Sequence, residues 1–384
     1  MLRLANIRGT CNSSHKSPEY IISCLLALYL AYRTPYTAIL TMSVPFRTLW
    51  TQWFPPHGPL GEKNLPSQAG KVFVVTGGAS GLGYVLSRIL YGAGGKVYIL
   101  TRSKERADQA IAKIKSFYGA KDHDQQLGSL EFIHMDLMEF DTVKSAALEF
   151  LRREGLDGRL DVLFNNAGTG GRKNAPKGAQ GHEYHMTTNT LGGFILTQHL
   201  LPILSRTASL SPPGTVRVVW AASILVEMNA PPSGISKEWM QDPSAVKDYI
   251  QLYSQSKAGA WFLASEFARR QSQSGVLFIA GNPGTYNTNM WQYTPTLLYW
   301  FFRVLMRDES EHGADTYLWM GFSESVTIDD AVAGRYAICD GRWHPGQRSD
   351  LLLALRNETE GGTGRSGEFF EWCNNVAKSF LPEA

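Results

Sequence analysis

Lys71–Gly83 reads KVFVVTGGASGLG, and this stretch decides the fold. Its first half, KVFVVT, is a short run of apolar and β-branched residues, the composition of a strand buried on both faces. Its second half, TGGASGLG at 76–83, opens a helical pattern in which Leu82, Val85, Leu86, Ile89 and Leu90 recur on one side up to Tyr91. A strand, a glycine turn and a helix in that order can bind a pyrophosphate. The glycines let the backbone turn tightly and approach the anion, and the helix N-terminus offers free N–H groups and the positive end of its dipole. A tight turn without a ligand could use the same residues. The position on the first strand of an alternating pattern favours the ligand.

The alternation continues down the chain. VYIL at 97–100 reads as a second strand, followed by a charged helix through about Tyr118. EFIHMDL at 131–137 is a third strand, with a helix from about Asp141 to Arg153 after it. DVLFNNAG at 161–168 is the fourth, and GTGGRKNAPKGAQG at 168–181 reads as a polar, flexible loop. A helix from about His182 to Leu204 leads to VRVVWAAS at 216–223, the fifth strand. Residues 253–272 read as another helix, GVLFIAG at 275–281 as the sixth strand, and GRYAICDG at 334–341 as a last one. This order predicts an α/β fold, a doubly wound parallel sheet (Rossmann fold) in a single domain with helices on both faces. The expected divisions are a leader at 1–41, a Pro- and aromatic-rich arm at 42–69, the sheet domain at 70–345 and a helical tail at 346–384.

Composition sets the limits. The 384 residues are 43% hydrophobic and 18% charged, enough to bury a large core. A formal charge of +3 gives no argument for nucleic acid. The four cysteines, Cys11, Cys24, Cys339 and Cys373, form no CxxC and no zinc spacing. A reducing compartment and no metal are expected. In the leader, Tyr20–Tyr32 is a run of thirteen uncharged residues. As a helix it would span about 20 Å at 1.5 Å per residue, short of the roughly 30 Å hydrocarbon core. Three readings stand: a leader preceding a natural start at Met42, a membrane anchor, or a cleaved targeting peptide. The arm, with Trp50, Trp53 and Phe54, would pack on the domain surface or on a membrane, so membrane association would run through residues 20–60.

Tyr253 and Lys257 lie four residues apart and so share a helix face. A phenol titrates near roughly 10, and a fixed cation beside it favours the phenolate. The spacing is weak alone, but it falls in a series. The turn is Thr-Gly-x-x-x-Gly-x-Gly, with Gly77, Gly81 and Gly83. Asn165-Asn166-Ala167-Gly168 ends the fourth strand, Asn189 begins Asn-Thr-Leu-Gly, Ser223 ends the fifth strand, and Pro283-Gly284-Thr285-Tyr286-Asn287-Thr288 follows the sixth. In these six motifs, residues 70–345 resemble the short-chain dehydrogenase/reductase family in its single-domain form.

The resemblance implies an oxidoreductase that interconverts a carbonyl and an alcohol with a nicotinamide dinucleotide. Catalysis would rest on Tyr253 as proton donor, Lys257 lowering its pKa and holding the ribose, Ser223 orienting the carbonyl, and Asn189 supporting a water. Cofactor contacts would fall on Gly77, Gly81, Leu82, Gly83, Arg102, Lys104, Asp136, Asn165, Asn166, Tyr253, Lys257 and Thr288. An acid at the end of the second strand would select NAD; here Leu100-Thr101-Arg102 stands there with Lys104 and Arg106 behind it, which favours NADP (NADPH) over NAD. Ser254 and Ser256 read as packing or surface residues.

The substrate side carries less information. Thirty residues separate Ser223 from Tyr253, an insertion similar to that of retinol-dehydrogenase-like members. MWQYTPTLLYWFFRVLM at 290–306 stands where the family's substrate lid lies. Trp291, Tyr293, Leu297, Leu298, Trp300, Phe301 and Phe302 would make an apolar roof, or dock as an amphipathic helix on the body or a membrane surface. A hydrophobic small molecule is expected either way. The tail from GRWHPG onward resembles filamentous-fungal members, which suggests a tailoring step in secondary metabolism. A membrane-associated retinoid- or lipid-type oxidoreductase and a non-catalytic dinucleotide-binding protein are the alternatives. A homodimer, as in many relatives, and a cytoplasmic or membrane-associated location complete the expectations.

Overall fold

The computed structural model of the chain describes residues 46–119, 126–288, 291–292, 299–300, 303, 306–308 and 312–382. The leader at 1–41 lies outside the described residues, as do Tyr293, Leu297, Leu298, Phe301 and Phe302 of the expected lid. No helix among the described residues is long and apolar enough to cross a membrane.

Helix α1 (Phe46–Trp53) opens the described chain and buries Leu49 and Trp53, four residues apart on one face. Strand β1 (Val72–Thr76) buries all five residues, as its uninterrupted apolar composition requires. Helix α2 (Gly81–Gly92), β2 (Lys96–Thr101), α3 (Lys104–Gly119), β3 (Ser129–His134), α4 (Phe140–Glu154) and β4 (Val162–Asn165) complete the first half. A helical turn at Tyr184–Met186 and a π-helical segment at Thr187–Leu191 lead into α5 (Gly192–Ser209) and then β5 (Arg217–Ala221). The insertion after β5 folds into two short helices, α6 (Leu225–Asn229) and α7 (Lys237–Gln241). Next come α8 (Tyr249–Arg270), β6 (Leu277–Gly281), α9 (Asp315–Phe322), α10 (Ile328–Val332), β7 (Tyr336–Ile338), β8 (Arg342–Trp343), α11 (Ser349–Leu355) and α12 (Arg365–Ala377).

The strands form one sheet in the order β3-β2-β1-β4-β5-β6-β7-β8. Every pairing is parallel except the last, where β8 runs antiparallel to β7. The expected doubly wound sheet is therefore present with an antiparallel edge. The turn at Asp340 (φ +63°) and Gly341 (φ +79°) is too short for anything but a hairpin. The strand order reverses between β1 and β4, so the carboxyl ends of those two strands border the crevice where such sheets bind ligands.

Two local expectations are corrected. Helix α8 begins at Tyr249, not Tyr253, because Asp248 caps it: its carboxylate accepts from the N–H groups of Ile250 and Gln251. The loop at 168–181 is tied down rather than flexible. Ala179 donates to Met138 O at 2.8 Å, Gly178 to His182 O at 2.9 Å, and Thr169 is buried.

The tail packs as a helix against α8. Gly259 makes room for it, since a Cβ there would stand 2.9 Å from the Phe369 ring. Phe370 meets Phe194 of α5 and Phe267 of α8 edge-on at 5.3 and 5.2 Å. Cys339 and Cys373 are both buried as free thiols.

Candidate active site

At the β1–α2 turn, Gly77 (φ +67°) and Gly81 (φ +53°) take up left-handed backbone that side chains disfavour. Gly83 is needed for a different reason: a Cβ there would fall 2.5 Å from Gly77 O and from Asn166 Nδ2. Ser80 stands at the N-cap of α2, yet its hydroxyl makes no capping bond. The first-turn N–H groups at Gly81, Leu82 and Gly83 keep their donors turned away from the helix body. Thr288 lies across the turn, its Cγ2 3.4 Å from where a Gly81 Cβ would be.

The ends of β1 and β4 are cross-linked. Asn166 Nδ2 donates to Thr76 O at 2.8 Å, and Ala167 N to Thr76 Oγ1 at 2.8 Å. Asn165 donates to Thr197 Oγ1 at 3.0 Å. Both asparagine side chains are thus engaged within the protein. Arg102 stands exposed at the end of β2, beside the turn, where Gly77 N donates to Leu100 O at 2.8 Å. Lys104 pairs with Asp108 at 2.7 Å along α3. Asp136 closes a local turn, accepting from Met138 N at 2.9 Å.

Ser223, Tyr253 and Lys257 come together on the carboxyl side of β5. Tyr253 and Lys257 lie one turn apart on α8 and are both buried. Lys257 Nζ donates to Ala221 O at 2.9 Å, and a Cβ on Gly168 would lie 3.0 Å from it, so the ammonium sits between the ends of β4 and β5. Ser223 Oγ accepts from Leu225 N at 3.2 Å, leaving its proton to donate. Its hydroxyl acts on the Tyr253 phenol.

Asn189 lies in the π-helical segment. Its Oδ1 accepts from Thr169 N at 2.8 Å, and its Nδ2 donates to Ser256 Oγ at 2.9 Å and Thr169 O at 3.3 Å. The extra backbone residue of a π-bulge aims the amide at the end of β4 instead of along the helix. Ser256 is a packing residue: it passes the contact on to Tyr253 O at 2.7 Å. Ser254, also buried, donates to Ile250 O at 2.7 Å.

Burial sets the electrostatics. It pushes the Tyr253 phenol above its ordinary range, against a smaller opposite pull from the Ser223 hydroxyl. It pulls Lys257 down to about 8. Burial is the first cause of the shift at both groups.

Three further residues frame the site. Tyr336 OH donates to Ser223 O at 2.9 Å and accepts from Ser223 N at 3.1 Å, so β7 grips the serine by its backbone. His185 meets the Tyr253 ring edge-on at 6.3 Å and is held by Glu183 Oε1 at 2.6 Å and Arg172 N at 3.0 Å. Trp291 Nε1 donates to Tyr286 O at 2.9 Å, bringing one residue of the aromatic stretch onto the Pro-Gly segment.

The family model described as short chain dehydrogenase matches residues 71–223. A short-chain dehydrogenase/reductase of Pestalotiopsis fici named iacJ is 36% identical over 340 residues, 87% of this chain and 98% of the relative. The chain belongs to the short-chain dehydrogenase/reductase family. A second family member, from Phomopsis amygdali, is 36% identical over 87% of this chain and 98% of its own length. Among solved structures, the Pseudomonas aeruginosa RhlG/NADP active-site complex aligns with a TM-score of 0.51 at 25% identity, over 68% of this chain and 94% of that one. As a member of this family the protein is a nicotinamide-dinucleotide oxidoreductase acting on CH–OH and C=O groups. Its residues suit that cofactor: glycine backbone at 77, 78, 81 and 83, an uncapped helix N-terminus behind it, and a buried lysine between β4 and β5.

Proposed function

We propose that the protein uses NADP(H) to interconvert a carbonyl and an alcohol on a hydrophobic small molecule, as a tailoring step in fungal secondary metabolism. The observation that carries this reading is the trio of a half-buried Ser223 with the buried Tyr253 and Lys257, a proton donor with a hydroxyl and an ammonium beside it. When bound, the nicotinamide supplies or accepts the hydride. Tyr253 gives its phenol proton to the carbonyl oxygen as negative charge develops there. Ser223 donates its hydroxyl proton to the same oxygen and orients it, while its own oxygen accepts from Leu225 N. Lys257 places positive charge in a water-poor pocket, where it stabilises the phenolate left on Tyr253. Asn189 fixes the backbone at Thr169 that walls the lysine's pocket. In oxidation the same groups act in reverse.

The choice of NADP rests on Arg102, exposed at the end of β2 where an NAD enzyme would hold a carboxylate. The apolar substrate rests on the aromatic composition of residues 290–306 and on Trp291, whose indole N–H is bonded to Tyr286 O. The fungal relatives support the metabolic setting. The test is NADPH oxidation over a panel of hydrophobic ketones, aldehydes and quinones with product identification. A substrate from that panel should lose about 10²- to 10⁴-fold in kcat with Tyr253→Phe. A Tyr253→Phe enzyme working at the wild-type rate would refute the role.

A further inference from the structure

Helix α1 lies outside the region matched by the family model, yet its Gln52 is 2% exposed and wired to both sides of the active site. Its Oε1 accepts from Asn282 Nδ2 at 2.9 Å, and its Nε2 donates to Glu227 Oε1 and, at 3.4 Å, to Thr48 O. Glu227 belongs to α6, four residues after Ser223. Asn282 directly precedes Pro283-Gly284, and its Oδ1 accepts from Gly284 N at 3.1 Å. One amide on α1 therefore spans the segment after β5 and the segment after β6.

The surrounding bonds hold that amide in place. Cys339 Sγ donates to Gln52 O at 2.9 Å, and Arg342 donates to Thr51 Oγ1 at 2.6 Å and to Thr51 O. The other Glu227 oxygen faces His344 Nε2 at 2.9 Å, while His344 Nδ1 accepts from Gly346 N at 3.1 Å. Accepting at Nδ1 leaves the proton on Nε2, aimed at the carboxylate. Every polar atom of the Gln52, Glu227 and Asn282 side chains that faces this cluster is spent on it. Buried networks of this kind fix geometry, since any slippage leaves a buried group unpaired.

We infer that α1 is a working part of the active site, with Gln52 the positioning residue that sets the Ser223 segment against the Pro283–Thr288 segment. This rests on the functional reading above, in which Ser223 orients the carbonyl and the second segment flanks the nicotinamide. Gln52 touches neither substrate nor cofactor; it keeps the groups that do at a fixed separation. Loss of a fraction of an ångström in that alignment lowers turnover far more than it lowers binding at the glycine turn.

The test is Gln52→Met, which keeps the volume and removes the hydrogen bonds. Turnover should fall about 10- to 100-fold with KM for NADPH changed by less than about threefold. Hydrogen exchange, measured on the protein without substrate, should quicken by about tenfold or more at residues 224–230 and 282–287 while β1 and β4 stay unchanged. Wild-type turnover with wild-type exchange at both segments would overturn the inference. So would faster exchange spread over the whole sheet with a fall in Tm, the mark of a packing role. If the wild-type protein turns over no carbonyl, the functional reading fails by itself, and the exchange measurement still decides the role of Gln52.

Discussion

Replacing Lys257 with methionine should make the free protein more stable at neutral pH while removing its activity. The Lys257 ammonium is buried and makes one hydrogen bond among the described residues, to Ala221 O at 2.9 Å. Burial lowers its pKa from 10.5 to about 8. At about 1.36 kcal/mol per pKa unit, the buried charge costs the folded state on the order of 3 kcal/mol at pH 7. Methionine fills the same space without the charge but forfeits the bond to Ala221 O, worth about 1–2 kcal/mol. The variant should therefore be about 1–2 kcal/mol more stable at pH 7. The sign changes with pH. Because the folded pKa is depressed, the penalty is fully present below about 8 and is relieved as pH rises toward 10.5, where the unfolded chain also becomes neutral. Above that pH only the lost hydrogen bond remains, and wild type should be the more stable. Urea denaturation of both proteins from pH 7 to 10.5, without cofactor, measures the difference while other titrations cancel. A difference independent of pH, or a variant less stable than wild type at pH 7, would refute the argument that desolvation governs this lysine.

Arg102→Asp should lower the NADPH-to-NADH ratio of kcat/KM by about tenfold or more, through repulsion of a 2′-phosphate and a new acceptor for a ribose hydroxyl. Steady-state kinetics with both cofactors checks it. Phe369→Ala should cost about 3–5 kcal/mol, because the ring is fully buried between α12 and α8 beside Gly259 and leaves a cavity. Chemical denaturation should show this as a lower midpoint with little change in slope.

Features that depend on neighbours in sequence are legible in the sequence itself. The apolar runs of β1, β2 and β5 and the glycine turn at 76–83 specify themselves locally. The pairing of Tyr253 with Lys257 follows from helical periodicity once that segment is helical. The start of α8 differs from the expected Tyr253 because Asp248 caps the helix one turn earlier. The strength of desolvation at Tyr253 and Lys257 was not legible, since it depends on how Ala221, Gly168 and the neighbouring strands close around them. Contacts between distant segments left no local trace at all. Tyr336 reaches Ser223 across 113 residues and Gln52 reaches Asn282 across 230. In sequence the first is one more aromatic in a strand, and the second a polar residue in an aromatic arm.

The grip of Tyr336 on Ser223 also bears on the order in which the chain becomes competent. Synthesis proceeds from the N-terminus, so Ser223 is made long before the strand that holds its backbone. At about 5–20 residues per second, the 113 residues between them take on the order of 10 s to emerge. During that interval the glycine turn and the first four strands can already be assembled, while the serine has no clamp. A chain that stops short of Tyr336 therefore holds Ser223 without that clamp. The last parallel strand is thus the one that completes the backbone support of Ser223.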